Sequence, residues 1–185
     1  DKPYELNISW WSAMEDSGRD SSRFQFERFL LTQLLVMALK GVPAFYLPAL
    51  LASENDIKSF SITGQRRDLN REKFKSENLL STLNNPESCA NKNLNYLKNA
   101  MNIRAKLKQF HPRSKMECLS KGRTDIVVIK RGIGLNAVFT IHNMTENKIN
   151  YQLNDREFPE FSKNDLDMND YLTSDKYNRK NINLD

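Results

Sequence analysis

Apolar residues recur at helical spacing over two long stretches of the chain. Phe26, Phe29, Leu30, Leu34, Met37 and Ala38 follow one another at intervals of three or four, which places them on one helix face. Leu31, Leu35 and Val36 add apolar groups on other faces, so this helix is expected to be buried on more than one side. Ser21 or Ser22 is expected to cap its first turn. Gly41 should end it, and Pro43 forbids its continuation. The second helix is expected from Asn91 to Phe110, with Tyr96, Ala100, Ile103, Leu107 and Phe110 along one face and Leu97 and Met101 beside them. His111-Pro112 stops it.

Between the helices lies a short apolar run, Val42 to Leu47, containing Phe45 and Tyr46. Following a buried helix and a Gly-x-Pro turn, it reads as a fully buried parallel strand. The loop after it, from about Pro48 to Glu72, is longer than a structural connection needs. Helix, strand and polar loop form the order of an α/β unit. Active groups of such units sit on the loop that leaves the strand's C-terminal end.

Past Pro112 the period changes. Met116 to Leu119, Asp125 to Arg131, Ala137 to His142 and Lys148 to Leu153 are short runs separated by Lys121-Gly122, Gly132 to Gly134 and Asn143 to Asn147. In the second run Ile126, Val128 and Lys130 alternate with Val127, Ile129 and Arg131. This is the spacing of a small antiparallel sheet. A boundary near Pro112 follows, giving an α/β part over 1–111 and a small β-domain with a polar tail over 112–185. In the tail beyond Asp155, rich in Asn, Asp and Lys, Phe158, Phe161 and Tyr171 stand out as anchors. The opening stretch, Asp1 to Asp20, is irregular, but Tyr4, Trp10 and Trp11 imply that it packs on a body.

Composition narrows the classes. With 185 residues, 39% hydrophobic and 28% charged, the chain has material for one or two cores. It is too short for a complete eightfold β/α barrel of roughly 250 residues. No apolar run reaches the roughly 20 residues of a membrane span. Twenty-eight Lys and Arg against 23 acids give a net charge of +5. The charges are mixed and no basic block is interleaved with aromatics, so a solvated surface is expected rather than a nucleic-acid face. Cys89 and Cys118 have no metal-ligand spacing and read as thiols of a reducing, cytoplasmic compartment. His111 and His142 read as structural, one at a helix end and one in a strand. The Asn7-Ile8-Ser9 sequon reads as idle. The chain opens on Asp1 with no leader pattern, as expected of a processed product or a fragment.

Particular motifs go further. Gly41-Val42-Pro43-Ala44-Phe45-Tyr46-Leu47 resembles the last barrel strand of the α-amylase-type glycoside enzymes. Leu50-Leu51-Ala52-Ser53-Glu54-Asn55-Asp56, then Thr63-Gly64, then Arg66-Arg67-Asp68-Leu69-Asn70-Arg71-Glu72, is similar to the sucrose phosphorylase subfamily. Pro3-Tyr4-Glu5-Leu6-Asn7 resembles that subfamily's acceptor loop. The motifs keep their order over roughly 110 residues. The fold this implies is α/β: the C-terminal portion of a (β/α)8 barrel, followed by a small antiparallel β-domain. The implied activity is transfer of a glucosyl group between a glucoside and phosphate with retention, which requires a carboxylate nucleophile and an alternating acid/base about 5–5.5 Å apart. By resemblance these carboxylates lie on earlier barrel strands. None is expected in this chain, which is therefore expected to be inactive alone.

The resemblance also assigns residues. Arg67 would pair with an aspartate from an early barrel loop and touch the glucosyl hydroxyls, a double task suited to a planar fork of donors. Without the motif it would read as a surface arginine beside Arg66 and Arg71. Asp68, Asn70 and Arg71 would brace that loop, Asp68 by holding an arginine and Asn70 by bonding its own backbone. Tyr4 and Glu5 would face the acceptor sugar or the incoming phosphate. Sucrose-cleaving members often carry an amide where Glu5 stands. A carboxylate accepts hydrogen bonds only and would repel phosphate, which speaks against sucrose. The variant motif Arg66-Arg67-Asp68-Leu69-Asn70-Arg71-Glu72-Lys73 resembles that of members that use glycerate or glycerol as acceptor rather than fructose. Asn55 and Asp56 lie early in the long loop, where capping a turn is the expected role of the carboxylate. No metal or cofactor is implied; the partners implied are a glucoside with phosphate, or glucose 1-phosphate. The competing classes are a non-catalytic carbohydrate-binding or interaction module, and a small basic nucleic-acid binder.

Overall fold

The computed structural model describes residues 5–15, 23–120, 122–153, 167–178 and 180–184. Contacts divide the chain into two units, residues 1–33 with 44–98, and residues 34–43 with 99–185. Among the described residues no helix is long and apolar enough to cross a membrane.

A single turn of 3-10 helix at Ser12–Met14 precedes α1 (Gln25–Ala38), whose residues from Leu34 on belong to the second unit. The serines expected to cap α1 lie outside the described residues; Phe24, whose φ is 56°, precedes the helix. The α-helices that follow are α2 (Leu47–Leu50), α3 (Ile57–Thr63) and α4 (Ser76–Asn84) in the first unit, and α5 (Cys89–Lys106), whose residues from Asn99 on belong to the second. Trp11, Phe29 and Ala52 form the core of the first unit, flanked by Met14, Phe26 and Cys89. Both tryptophans meet Phe29 edge to face, with ring centroids 6.4 Å (Trp10) and 5.2 Å (Trp11) away. Burying Phe29 completely contributes about 1.5–3 kcal/mol. The expected packing of Trp11 on a body is thus observed. A polar chain runs beside this core. Buried Gln33 donates to Asn93 Oδ1 over 3.2 Å, and Asn93 donates to the carbonyls of Ala49 and Leu50. Asn93 is fully buried and satisfies the last carbonyls of α2, which a four-residue helix leaves open.

Two expectations for the helical part are corrected. Val42 to Leu47 forms no strand: residues 42–46 are unpaired, Leu47 already opens α2, and Val42, Tyr46 and Leu47 are exposed. A parallel strand is held by neighbours on both sides, and no described residues supply them. The second helix ends at Lys106, with a separate 3-10 turn at Lys108–Phe110. Its buried stripe is Ala90, Asn93, Leu97 and Ala100, whereas Tyr96 is half exposed.

The second unit contains the strands read from the sequence. β1 (Met116–Cys118), β2 (Ile126–Arg131) and β3 (Val138–Asn143) form an antiparallel sheet in that order. The register sets Val128 opposite Ile141 and Arg131 opposite Val138. Gly132, with φ of 85°, turns the chain after β2; a Cβ there would lie 2.9 Å from Gln109 Cγ, so glycine is required on both counts. β4 (Ile149–Tyr151) pairs with β7 (Ile182–Leu184), and β5 (Asp167–Asn169) with β6 (Lys176–Asn178). All these pairs are antiparallel. Ile126, Val128, Tyr151, Leu153 and Ile182 make the core, with Met168 and Tyr177 packed against it.

Candidate substrate-binding site

Segments distant in sequence converge in the first unit. Ser9 N–H donates to Asn55 Oδ1 over 2.7 Å, and Asn55 N–H donates to Ser12 Oγ over 3.1 Å. One carboxamide residue thereby stitches the N-terminal segment to the start of the long loop. Asp56 N–H donates to Leu69 O over 2.8 Å, folding that loop back on itself. Its side chain caps α3, accepting from Ser59 N–H at 2.8 Å and Ser59 Oγ at 2.5 Å. These bonds from Ser59, first the side-chain one, hold its carboxyl below the usual range. Capping was the expected role, and Gly64, at φ 68°, closes the other end of α3.

The second half of the loop is a 3-10 turn at Arg66–Asn70, which presents Arg67 outward. Arg67 Nε donates to Glu5 Oε1 over 2.7 Å, with the two side chains 52% and 35% exposed. Two residues assigned separate tasks on the sequence are therefore joined. The partner expected for Arg67 is an aspartate of an early barrel loop; the carboxylate it meets among the described residues is Glu5. Asp68 receives a hydroxyl, from Thr63 Oγ1 at 2.5 Å, instead of the expected arginine. Asn70 Oδ1 is buried and unpartnered, as is Asn7 Oδ1, two residues from Glu5. Arg71 is exposed. Tyr4 lies outside the described residues.

This arrangement can bind, since the outer end of the Arg67 guanidinium has no partner among the described residues and offers donors to a ligand oxygen. Among the described residues no group of three or more His, Cys, Asp and Glu side chains could hold a metal ion. The histidines serve structure: His111 Nδ1 accepts from Arg113 N–H, and His142 is buried in β3. The Glu5–Arg67 pairing escaped sequence reasoning, because 62 positions separate its members and no local pattern links them.

Comparison with known proteins supplies the family. A glucosylglycerate phosphorylase of Spirochaeta thermophila is 33% identical over 129 residues, covering 70% of this chain and 22% of the relative. One of Allomeiothermus silvanus is 31% identical over 145 residues, covering 78% of this chain and 26% of the relative. The chain is homologous to the sugar phosphorylases of the glucosylglycerate and sucrose type. A sucrose phosphorylase of Streptococcus mutans is more distant, 26% identical over 83 residues, or 45% of this chain and 16% of the relative. No protein-family model matches the chain. It spans about a quarter of the length of the glucosylglycerate phosphorylases it matches.

Proposed function

We propose that this chain is the C-terminal portion of a retaining glucoside phosphorylase that exchanges a glucosyl group between a small acceptor and phosphate. The observation that carries the reading is the meeting of Glu5 and Arg67 across 2.7 Å, which brings the acceptor-loop motif onto the Arg-Asp-x-Asn-Arg motif. Two glucosylglycerate phosphorylases matched over 70% and 78% of the chain support it.

In this reading residues 1–111 complete a (β/α)8 barrel and 112–185 form its small β-domain. The earlier strands supply the carboxylates. One attacks the anomeric carbon while the other protonates the leaving acceptor oxygen. Phosphate then attacks the glucosyl-enzyme from the same face, giving up a proton to the second carboxylate and releasing glucose 1-phosphate. Arg67 binds glucosyl hydroxyls, Tyr4 and Glu5 face the acceptor, and Asp68, Asn70 and Arg71 support the loop. A glycerate-like acceptor is favoured over fructose, given a carboxylate at position 5 and the names of those relatives. The thiols of Cys89 and Cys118 are free, in keeping with a cytoplasmic setting.

The test joins these residues to the remainder of the barrel in one polypeptide and measures phosphate release from glucose 1-phosphate with glycerate, glycerol or fructose. Release that rises with one acceptor is the expected result. A folded polypeptide that releases none with any acceptor would refute the reading.

A further inference from the structure

The Glu5–Arg67 contact changes what Glu5 is for. A carboxylate facing the acceptor should act on the acceptor alone. Here its Oε1 takes the Nε hydrogen of Arg67, and that nitrogen is the one that fixes the plane of the guanidinium. We propose that Glu5 is a positioning residue acting through Arg67: it grips the Nε edge and thereby aims the Nη1 and Nη2 donors at the glucosyl unit. This rests on the phosphorylase reading and adds a coupling between the two loops.

Geometry supports the coupling. Arg67 stands on a 3-10 turn of five residues, a short element that does little to orient a long side chain. The segment carrying Glu5 is fastened to the start of the long loop, through Ser9 and Ser12 to Asn55, twelve positions before Arg67. A grip from a segment fastened at other residues removes rotamer freedom that the turn leaves open. The pair is also neutral as a unit. Held against Arg67, Glu5 does not oppose an incoming phosphate as a lone carboxylate would. The two buried carboxamide oxygens without partners, Asn7 Oδ1 and Asn70 Oδ1, lie on the same two segments. Buried acceptors are normally satisfied, and both are available to donors supplied when the site is complete.

The experiment is a double-mutant cycle in the complete enzyme with Glu5→Gln, Arg67→Lys and both together. The reaction followed is hydrolysis of glucose 1-phosphate without acceptor, so that acceptor contacts drop out. Glu5→Gln should slow this acceptor-free reaction by about 2- to 10-fold. The double variant should be no slower than Arg67→Lys alone, since the grip has nothing left to hold. The melting temperature should not move with Glu5→Gln, because the pair is half exposed, and this separates aiming from folding. Independent losses that multiply, or a Glu5→Gln variant changed in acceptor preference only, would overturn the proposal. An inactive complete wild-type enzyme would instead overturn the phosphorylase reading beneath it.

Discussion

The guanidinium of Arg131 lies over the Phe110 ring, 5.2 Å from its centroid, and is completely buried. Its Nη1 donates to the carbonyls of Ala38 and Leu39 at 3.0 and 2.7 Å, and its Nη2 to that of His111 at 3.2 Å. Arg104 stands over the same ring at 5.5 Å and donates to Met37 O and Gly41 O, both at 2.9 Å. Among the described residues neither arginine has an ion-pair partner. Their charge is met by the exposed carbonyls and negative dipole end of α1. Burial lowers the pKa of both, and for Arg131 the neighbouring Arg104 lowers it further; a guanidinium stays charged regardless.

Removing that charge should be costly. Arg131→Met leaves three carbonyls without their donor, so a loss of about 3 kcal/mol is expected. Arg104→Met, in a half-buried position, should cost about 1–2 kcal/mol. Urea unfolding midpoints check both. Equal, near-zero losses would mean that water replaces the clamp.

How much of this was legible follows from range. The β2–β3 hairpin could be read because Ile126 to Arg131 and Val138 to Asn143 carry their own apolar alternation between glycine turns. Arg131 could not, since a cation closing a strand reads as its solvated end. β5 to β7 were missed because Asp167–Asn169, Lys176–Asn178 and Ile182–Leu184 look like a polar tail, with single apolar residues, Met168, Tyr177 and Ile182 with Leu184, making their contact with the core. Val42–Leu47 failed for the opposite reason: its composition suits a buried strand, but burial is a property of neighbours. At the site, motifs located Arg67 and Glu5 singly, whereas their contact depends on how the long loop folds through Asp56 and Leu69.

Asp56→Ala should remove the cap of α3 and destabilise the first unit by about 1 kcal/mol. The sign with pH is set by the depressed pKa of Asp56. A carboxyl whose folded pKa lies below its unfolded value stabilises above the unfolded pKa, near 3.9, and loses that effect as pH falls through the folded one. The difference between wild type and Asp56→Ala should thus be constant from pH 7 to about pH 5 and vanish in stronger acid. Hydrogen exchange of the Ser59 and Phe60 amides at two pH values would show it.

His142 should make the second unit acid-sensitive in a higher window. Its ring is buried with Nε2 unpartnered, and burial pushes its pKa down to about 4. A base that is harder to protonate when folded favours unfolding as pH drops. Stability should be full above the unfolded pKa near 6.5, fall from there to about pH 4, and level off below. The whole effect is of the order of 3 kcal/mol. His142→Phe should flatten this part of the profile and leave stability at pH 7 nearly unchanged. A wild-type profile that is already flat between pH 6.5 and 4 would show that the ring reaches water.

The 185-residue polypeptide by itself should release no phosphate from glucose 1-phosphate above a protein-free control. Among the described residues the carboxylates at its candidate site are engaged, Glu5 with Arg67, Asp56 with Ser59 and Asp68 with Thr63, and the pair that retention requires is proposed to lie on earlier barrel strands. Losing a nucleophile removes many orders of magnitude of rate. Measurable turnover by the purified polypeptide would require a different catalytic pair.

The same polypeptide should associate in solution. Val42 is 81% exposed and Tyr46 55%, on a segment, 42–46, that forms neither helix nor strand among the described residues and whose last residue, Tyr46, is extended. An unpaired extended segment with apolar side chains templates pairing between copies. The helical part adds Ile57 and Ile62, which are 61% and 75% exposed. Sedimentation velocity should show species larger than a monomer that grow with concentration. Val42→Lys with Tyr46→Lys should shift the distribution toward monomer, because charge on an open edge blocks strand pairing. The unfolding midpoint should barely change, since neither side chain is buried. If the double variant associates as strongly as the wild type, the contact lies elsewhere, and the same substitutions at Ile57 and Ile62 would test the helical surface next.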